Sequence, residues 1–290
     1  MTLKMLKFNS APVEKLTAFC RAEQAGRKDI IGTKNGIIIT EPRAERKLVC
    51  TVVVGARYNQ LASYTVPLMK LYADKVGADF KILGEHPNIA SDNPQYQKLQ
   101  LYYLLREYDR VVFLDADTMV MPACPSLFEV VPPDLFGAVA VPSDSPIYDI
   151  YRMATALEYG ITEWAAPFYN CAVLVASRRH REAFNGLPLD TATAVSLAHW
   201  PGAPGNDESV INSRIALMRI PSMALNPRFN MLYNFYIGRD KIDLDVDGRA
   251  VTVPYVDRHK HAYILHYADA NKLKHIVADY NHVFKGTTNA

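Results

Sequence analysis

Residues 48–55, LVCTVVVG, form a continuous β-branched run, the pattern of a strand buried on both faces of a parallel sheet. The period then changes. In NQLASYTVPLMKLYADKVGA the apolar residues Leu61, Tyr64, Leu68, Leu71 and Tyr72 recur at helical spacing, and Gly77 is a suitable terminator. A short second strand is expected at 79–83, a second helix at 96–105, and a third strand at 110–114 that runs directly into Asp115. This alternation predicts a doubly wound α/β half. Further on, FGAVAV, FYNCAVLVA and AYILHY read as strands separated by helical stretches such as NDESVINSRIALM, which predicts a mixed sheet, and HWPGAPGND reads as an ordered loop or lid. Ahead of Lys47 the chain is mixed and charged, with one strand signal at 36–40. The expected organisation is an extension over 1–46 with one added edge strand, a single core domain over 47–285, and a tail at 286–290.

Composition adds boundaries more than identity. A chain of 290 residues with 49% hydrophobic and 21% charged positions buries enough apolar surface for an ordinary globular core. A net charge of +2 gives no electrostatic case for a nucleic-acid protein. Cys20, Cys50, Cys124 and Cys171 lie far apart, without the paired spacing of a zinc or redox site, and are expected as buried thiols in a reducing compartment. No run approaches the ~18–20 apolar residues of a membrane span, and no Asn-x-Ser/Thr acceptor occurs, so a cytoplasmic location is expected.

Candidate chemistry begins at Asp115-Ala116-Asp117. Four apolar residues followed by Asp-x-Asp put two carboxylates at the carboxyl end of a buried strand, where open α/β sheets bind ligands. Carboxylates so spaced can bind a hard divalent cation, which neutralises a nucleotide diphosphate and stabilises it as a leaving group. A surface turn in which Asp caps the next segment weighs equally at this point. LDADTMV also resembles the nucleophile loop of haloacid-dehalogenase-type phosphatases, with Asp115 as phosphoryl acceptor, although that motif belongs near the first strand and needs a later strand ending in an acidic pair. Asp243-Leu244-Asp245-Val246-Asp247-Gly248 begins like a calcium loop. Its twelfth position is Pro254, and a hairpin turn at Asp247-Gly248 is the better reading.

Taken in order, VVFLDADTMV, FYNCAVLVAS, NDESVIN and HYADANK resemble the motifs of the glycogenin-like retaining glycosyltransferases, family 8, over roughly residues 48–284. The resemblance implies a GT-A type, Rossmann-like mixed sheet with helices on both faces. It implies a metal held by Asp115, Asp117 and His266, manganese or magnesium, and a nucleotide-sugar donor, a UDP-sugar by family habit. Lys272, six residues after His266, and Lys98 would lie on the diphosphate, Gly55 and Tyr58 at the base, and Asn170 and Asp144 at the sugar. Asp207 and Glu208 would stand beside the anomeric carbon, with either front-face departure or a short-lived covalent intermediate. The partners implied are the donor and a carbohydrate or other hydroxyl acceptor, with the oligomeric state left open. The chain departs from the family at Arg57, at Asp269 where glycine is usual, at Leu273 and Lys274 where Pro-Trp is usual, and at Glu208 where an amide is usual. The departures at Glu208 and Asp269 motivate an alternative in which the fold binds a nucleotide sugar with impaired chemistry. None of the seventeen tyrosines has a spacing that marks it as a self-glucosylation site.

Overall fold

The computed structural model describes residues 4–6, 30–33, 36–39, 44–89, 93–141, 146–185, 207–232, 241–246, 248–268 and 270–285. The chain divides into two compact units, Met1–Glu45 and Arg46–Ala290. In the first, β1 (Lys4–Leu6), β2 (Ile30–Thr33) and β3 (Gly36–Ile39) form an antiparallel sheet in the order β1-β3-β2. The strand expected from its isoleucine run is thus the centre of a sheet and not a lone edge strand. Its two partners are only three and four residues long, too short for alternation to register in the pattern.

The second unit is built on β4 (Lys47–Val52), β5 (Asp79–Leu83), β6 (Arg110–Leu114), β8 (Phe136–Ala140), β9 (Tyr169–Ser177) and β10 (Ser222–Leu225). They lie in the order β10-β8-β9-β6-β4-β5, parallel except for β9, which is antiparallel to both neighbours. This is the mixed α/β sheet foreseen from the pattern. Residues alternate between two cores: Val111 and Phe113 pack on one face of β6, and Val112 and Leu114 on the other. Both faces are buried, which is why β4 and β6 read as continuous apolar runs.

Helix α1 spans Ala56–Lys75 and begins right after Gly55, whose φ of 85° lies in the region that favours glycine. It buries Leu61, Thr65, Leu68, Met69 and Tyr72, whereas Leu71 is 66% exposed. Leu71 was expected in the apolar stripe. The buried face instead runs through small Ala62, Thr65 and Ala73, which a purely apolar count overlooks. The expected helix at 96–105 starts as a 3-10 segment, Pro94–Gln100, and turns α-helical only as α2 at Leu101–Glu107. Pro94 sits at the first helical position, and the Asn93 side chain accepts from the Gln95 N–H, which favours the tighter turn.

After β6 the chain turns into β7 (Thr118–Val120) and the short α3 (Leu127–Val130) before β8; α4 (Pro146–Glu158) precedes β9, and α5 (Asp207–Leu217) precedes β10. A small second sheet, β11-β14-β7, pairs β11 (Met231–Leu232) in parallel with β14 (Ile264–His266), and β14 antiparallel with β7. The hairpin reading holds, with β12 (Lys241–Val246) paired to β13 (Arg249–Pro254), Val246 opposite Arg249, and Gly248 at φ 79°. Helix α6 (Lys272–Phe284) closes the unit. Cys50, Cys124 and Cys171 are buried free thiols, and among the described residues no helix is long and apolar enough to cross a membrane. Cys20, Asp144, Asp269, the HWPGAPG segment and the tail at 286–290 lie outside the described residues.

Candidate metal and donor site

The acidic turn is a closed local structure. Thr118 donates through both its N–H (2.9 Å) and its hydroxyl (2.7 Å) to the Asp115 carbonyl, and Asp115 N–H donates to Ala172 O at 2.8 Å. From behind, the buried Thr65 hydroxyl of α1 donates to Ala116 O at 2.7 Å. With its backbone so fixed, the turn presents Asp115 half-buried and Asp117 buried. Pairing of β7 with β14 then brings His266 opposite Thr118, and the Tyr267 N–H donates to Asp117 O at 3.0 Å. His266 Nε2 thus lies 3.6 Å from Asp117 Oδ1.

Asp115, Asp117 and His266 each offer one ligand atom, all within 4.8 Å of one another. Two carboxylates and an imidazole fit a divalent cation of the manganese or magnesium kind in donor chemistry as well as spacing. Burial drives the His266 pKa down to about 4, against the pull of Asp115, so the ring is neutral near pH 7, the form in which imidazole ligates.

Two ammonium groups flank this triad. Lys98, 4% exposed, donates to Asp207 Oδ2 at 2.5 Å, Cys171 O at 2.8 Å and, at the long end of the range, Asp115 Oδ2 at 3.5 Å, with Asp115 Oδ1 3.2 Å away as an ion pair. Burial opposes its charge, but Asp115 and Asp207 more than offset that and hold its pKa above the ordinary value. Lys272, the first residue of α6, donates to Asp117 Oδ2 at 2.6 Å and lies 5.3 Å above the Tyr58 ring. Its pKa is also raised, burial being outweighed by Asp117. Arg57, a departure from the family pattern, donates to Ala270 O at 3.1 Å and ties the start of α1 to the loop that carries Lys272.

The far wall comes from β9 and the start of α5. Between β8 and β9 the register jumps from Ala138↔Leu174 to Val139↔Asn170, leaving Cys171, Ala172 and Val173 unpaired on that side. Such bulges re-aim side chains next to sites. Here the bulge offers Cys171 O to Lys98 and Cys171 N–H to Glu208 Oε1 at 3.3 Å. Asn170 Nδ2 also donates to Glu208 Oε1, at 2.8 Å. Asn212 clamps α5 onto β9, accepting from Tyr169 N–H at 2.8 Å and donating to Tyr169 O at 2.9 Å. Burial, reinforced by Asp207, pushes the Glu208 pKa up to about 8, with Lys98 pulling the other way. Burial likewise raises Asp207, against Lys98.

A cleft of about 320 Å³ joins these groups, lined by Val54, Tyr58, the triad of Asp115, Asp117 and His266, the two lysines, and Asp207, Glu208 and Asn170. That volume is within the range of small-molecule sites. Of the residues singled out by sequence, Tyr58, Lys98, Asp115, Asp117, Asn170, Asp207, Glu208, His266 and Lys272 all line it. Gly55 instead shapes the backbone entry to α1, and a Cβ there would meet nothing within 4 Å. Tyr148 and Tyr151, edge to face at 5.4 Å on α4, close the end near Glu208 and were not foreseen. Nor was Asn230, buried behind His266. Polar residues inside NPRFN carry no periodic signal that separates a site residue from a turn residue. Among the described residues no strand after β6 ends in an acidic pair, in contrast to the phosphatase expectation: β14, which pairs with β7, ends in histidine.

No protein-family model matches the chain, and no curated protein matches it. Solved structures do resemble it. The apo bifunctional glycosyltransferase WbbM gives a TM-score of 0.50 at 13% identity, over 94% of this chain and 58% of WbbM. A glycosyltransferase involved in glycosylation of the major capsid of PBCV-1 gives 0.49 at 12%, over 80% and 99%. The galactosyltransferase LgtC, in complex with donor and acceptor sugar analogues, gives 0.47 at 13%, over 82% and 96%. The mixed α/β sheet is of the GT-A glycosyltransferase kind, and at these identities the likeness concerns the fold.

Proposed function

We propose that the chain is a metal-dependent, retaining glycosyltransferase that moves a hexose from a nucleoside diphosphate sugar, a UDP-sugar, to a hydroxyl acceptor. Residues 47–285 would form the transferase domain and 1–46 an extension. The observation that carries this reading is the convergence in one cleft of a hard-cation triad, two ammonium groups and a separate carboxylate pair. A phosphate-bearing leaving group needs the first two and an electron-poor anomeric carbon needs the third.

Asp115, Asp117 and His266 would hold the cation, which supplies charge neutralisation to the diphosphate when bound. Lys272, which donates to Asp117, would turn onto phosphate oxygens entering beside it. Lys98 keeps Asp207 aimed into the cleft while its own charge faces the same space. In the transfer the anomeric C–O bond to phosphate breaks, a C–O bond to the acceptor forms, and the acceptor proton ends on the departing phosphate. Asp207 would stabilise the positive charge that develops at the anomeric carbon. Glu208, largely protonated near pH 7, would present a neutral polar group where the family has an amide.

Calorimetry with manganese and a panel of nucleoside diphosphates and nucleotide sugars, followed by donor hydrolysis, tests the proposal. Asp117→Asn is expected to remove manganese-dependent binding and turnover together. Donor binding without any turnover would point to a binding module, and phosphate release from phosphomonoesters to a phosphatase.

A further inference from the structure

The hydrogen bonds behind the metal triad form a continuous chain whose direction is set by the main chain. Cys171 N–H and Ala172 N–H can only donate. Ala172 N–H donates to one oxygen, Asn170 Oδ1, at 3.1 Å, so the other end of that amide, facing Glu208, is its NH2. Asn230 approaches the same Asn170 Oδ1 at 2.6 Å. An oxygen that accepts from Ala172 cannot donate to Asn230, so the Asn230 atom there is Nδ2. The opposite end of Asn230 is then Oδ1, which lies 3.0 Å from His266 Nδ1. An amide oxygen only accepts, so His266 carries its proton on Nδ1.

We infer that Asn230 is a positioning residue for the metal centre: through Asn170 it selects the Nδ1–H tautomer of His266 and so leaves the Nε2 lone pair bare towards Asp117. The inference rests on the proposed metal role of His266. With Nε2 protonated instead, the ring would present a hydrogen to the cation and could not ligate at all. Asn230 is 1% exposed and His266 is buried, so no water competes for the Nδ1–H bond. The same chain ends on Glu208 Oε1, so one polar network holds both the imidazole ligand and the carboxyl beside the transfer site. Partners of this kind orient metal-bound histidines, and their loss costs about 10- to 100-fold in metal affinity.

The test uses the full chain, metal-free, with 15N-labelled histidine. Two-bond proton–nitrogen spectra distinguish the tautomers, and the His266 signal is assigned by its loss in His266→Gln. The expected result is the Nδ1–H form in the unsubstituted protein. An Nε2–H form overturns the inference without any variant being needed. Manganese affinity is then measured by electron paramagnetic resonance for two variants. Asn230→Ala loses the acceptor and is expected to bind manganese about 10- to 100-fold more weakly. Asn230→Asp keeps an acceptor for Nδ1–H and is expected to stay within about threefold of the unsubstituted protein, while its donor turnover falls because Asn170 loses a donor. A folded Asn230→Ala protein with unchanged manganese affinity also overturns the inference. If the unsubstituted protein has the expected tautomer but binds no manganese, the proposed function fails and the tautomer assignment stands.

Discussion

Glu208 is the side chain whose replacement separates fold from chemistry most cleanly. Its pKa moves from 4.5 in an exposed chain to about 8 in the folded one, first through burial and then through Asp207. Below about pH 4.5 both states hold the proton. Between about 4.5 and 8 the unfolded chain releases it and the folded chain keeps it, so stability falls as pH rises, and above about 8 the loss stops. Integrated from pH 5 to 9, this group alone costs about 4 kcal/mol. That is a ceiling, because one edge of the side chain remains open to the cleft and water screens it there. Glu208→Gln retains an acceptor for Asn170 and Cys171 and has nothing to titrate. The assay is calorimetric melting of both proteins from pH 5 to 9. Titrations of groups away from Glu208 and its neighbour Asp207 cancel in the difference, and the variant is expected to gain relative to the parent as pH rises. At about 2–4 °C per kcal/mol for a unit of this size, that ceiling corresponds to a relative gain of about 8–16 °C. A difference that stays flat across the range would mean that Glu208 is ionised in the folded protein at neutral pH, and would rule out its role as a neutral group.

Three further outcomes are expected. Lys98→Met leaves Asp207 buried without a cation, costs about 3–5 kcal/mol at pH 7, and partly recovers as pH falls and Asp207 protonates; melting at pH 5 and 8 checks both. Tyr58→Leu is expected to raise the donor KM by about 2- to 10-fold with kcat little changed, as loss of about 0.5–1.5 kcal/mol of aromatic contact would give, read from initial rates of donor hydrolysis. Gly137→Ala places a Cβ 2.5 Å from Val131 Cγ2 on a stiff, fully buried side chain and is expected to lower stability by about 1–3 kcal/mol in denaturant unfolding, without altering donor affinity.

What the linear pattern reveals depends on how each feature is encoded. The strand into Asp115 is legible because both its faces are apolar, and the two-residue period of the acidic turn follows from the end of that strand. His266 and Lys272 are separated from the turn by about 150 residues, and only the order of motifs joins them to it; the pairing of β14 with β7 is what makes them neighbours. Leu71 shows the opposite failure, a large apolar residue at helical spacing that faces outward because the packed stripe uses alanine and threonine. The β9 bulge is invisible for a different reason. Every residue of that strand is buried, so a three-residue slip leaves no polar mark, and Asn170 and Cys171 point where a regular ladder would not send them. Asn230 contributes by hydrogen-bond direction alone, a property that no hydropathy pattern records.

The balance of fixed charges in the cleft sets an order of events. Asp115, Asp117 and Asp207 oppose Lys98 and Lys272, while His266 and Glu208 are largely neutral near pH 7, so the walls carry about one surplus negative charge. A diphosphate arriving alone meets repulsion, and a dication arriving alone leaves the cleft about one charge positive. Each ligand therefore improves the site for the other, by equal factors in the two directions. In the proposed transferase, saturation with one would sharpen affinity for its companion, and the spent diphosphate and the cation would depart together.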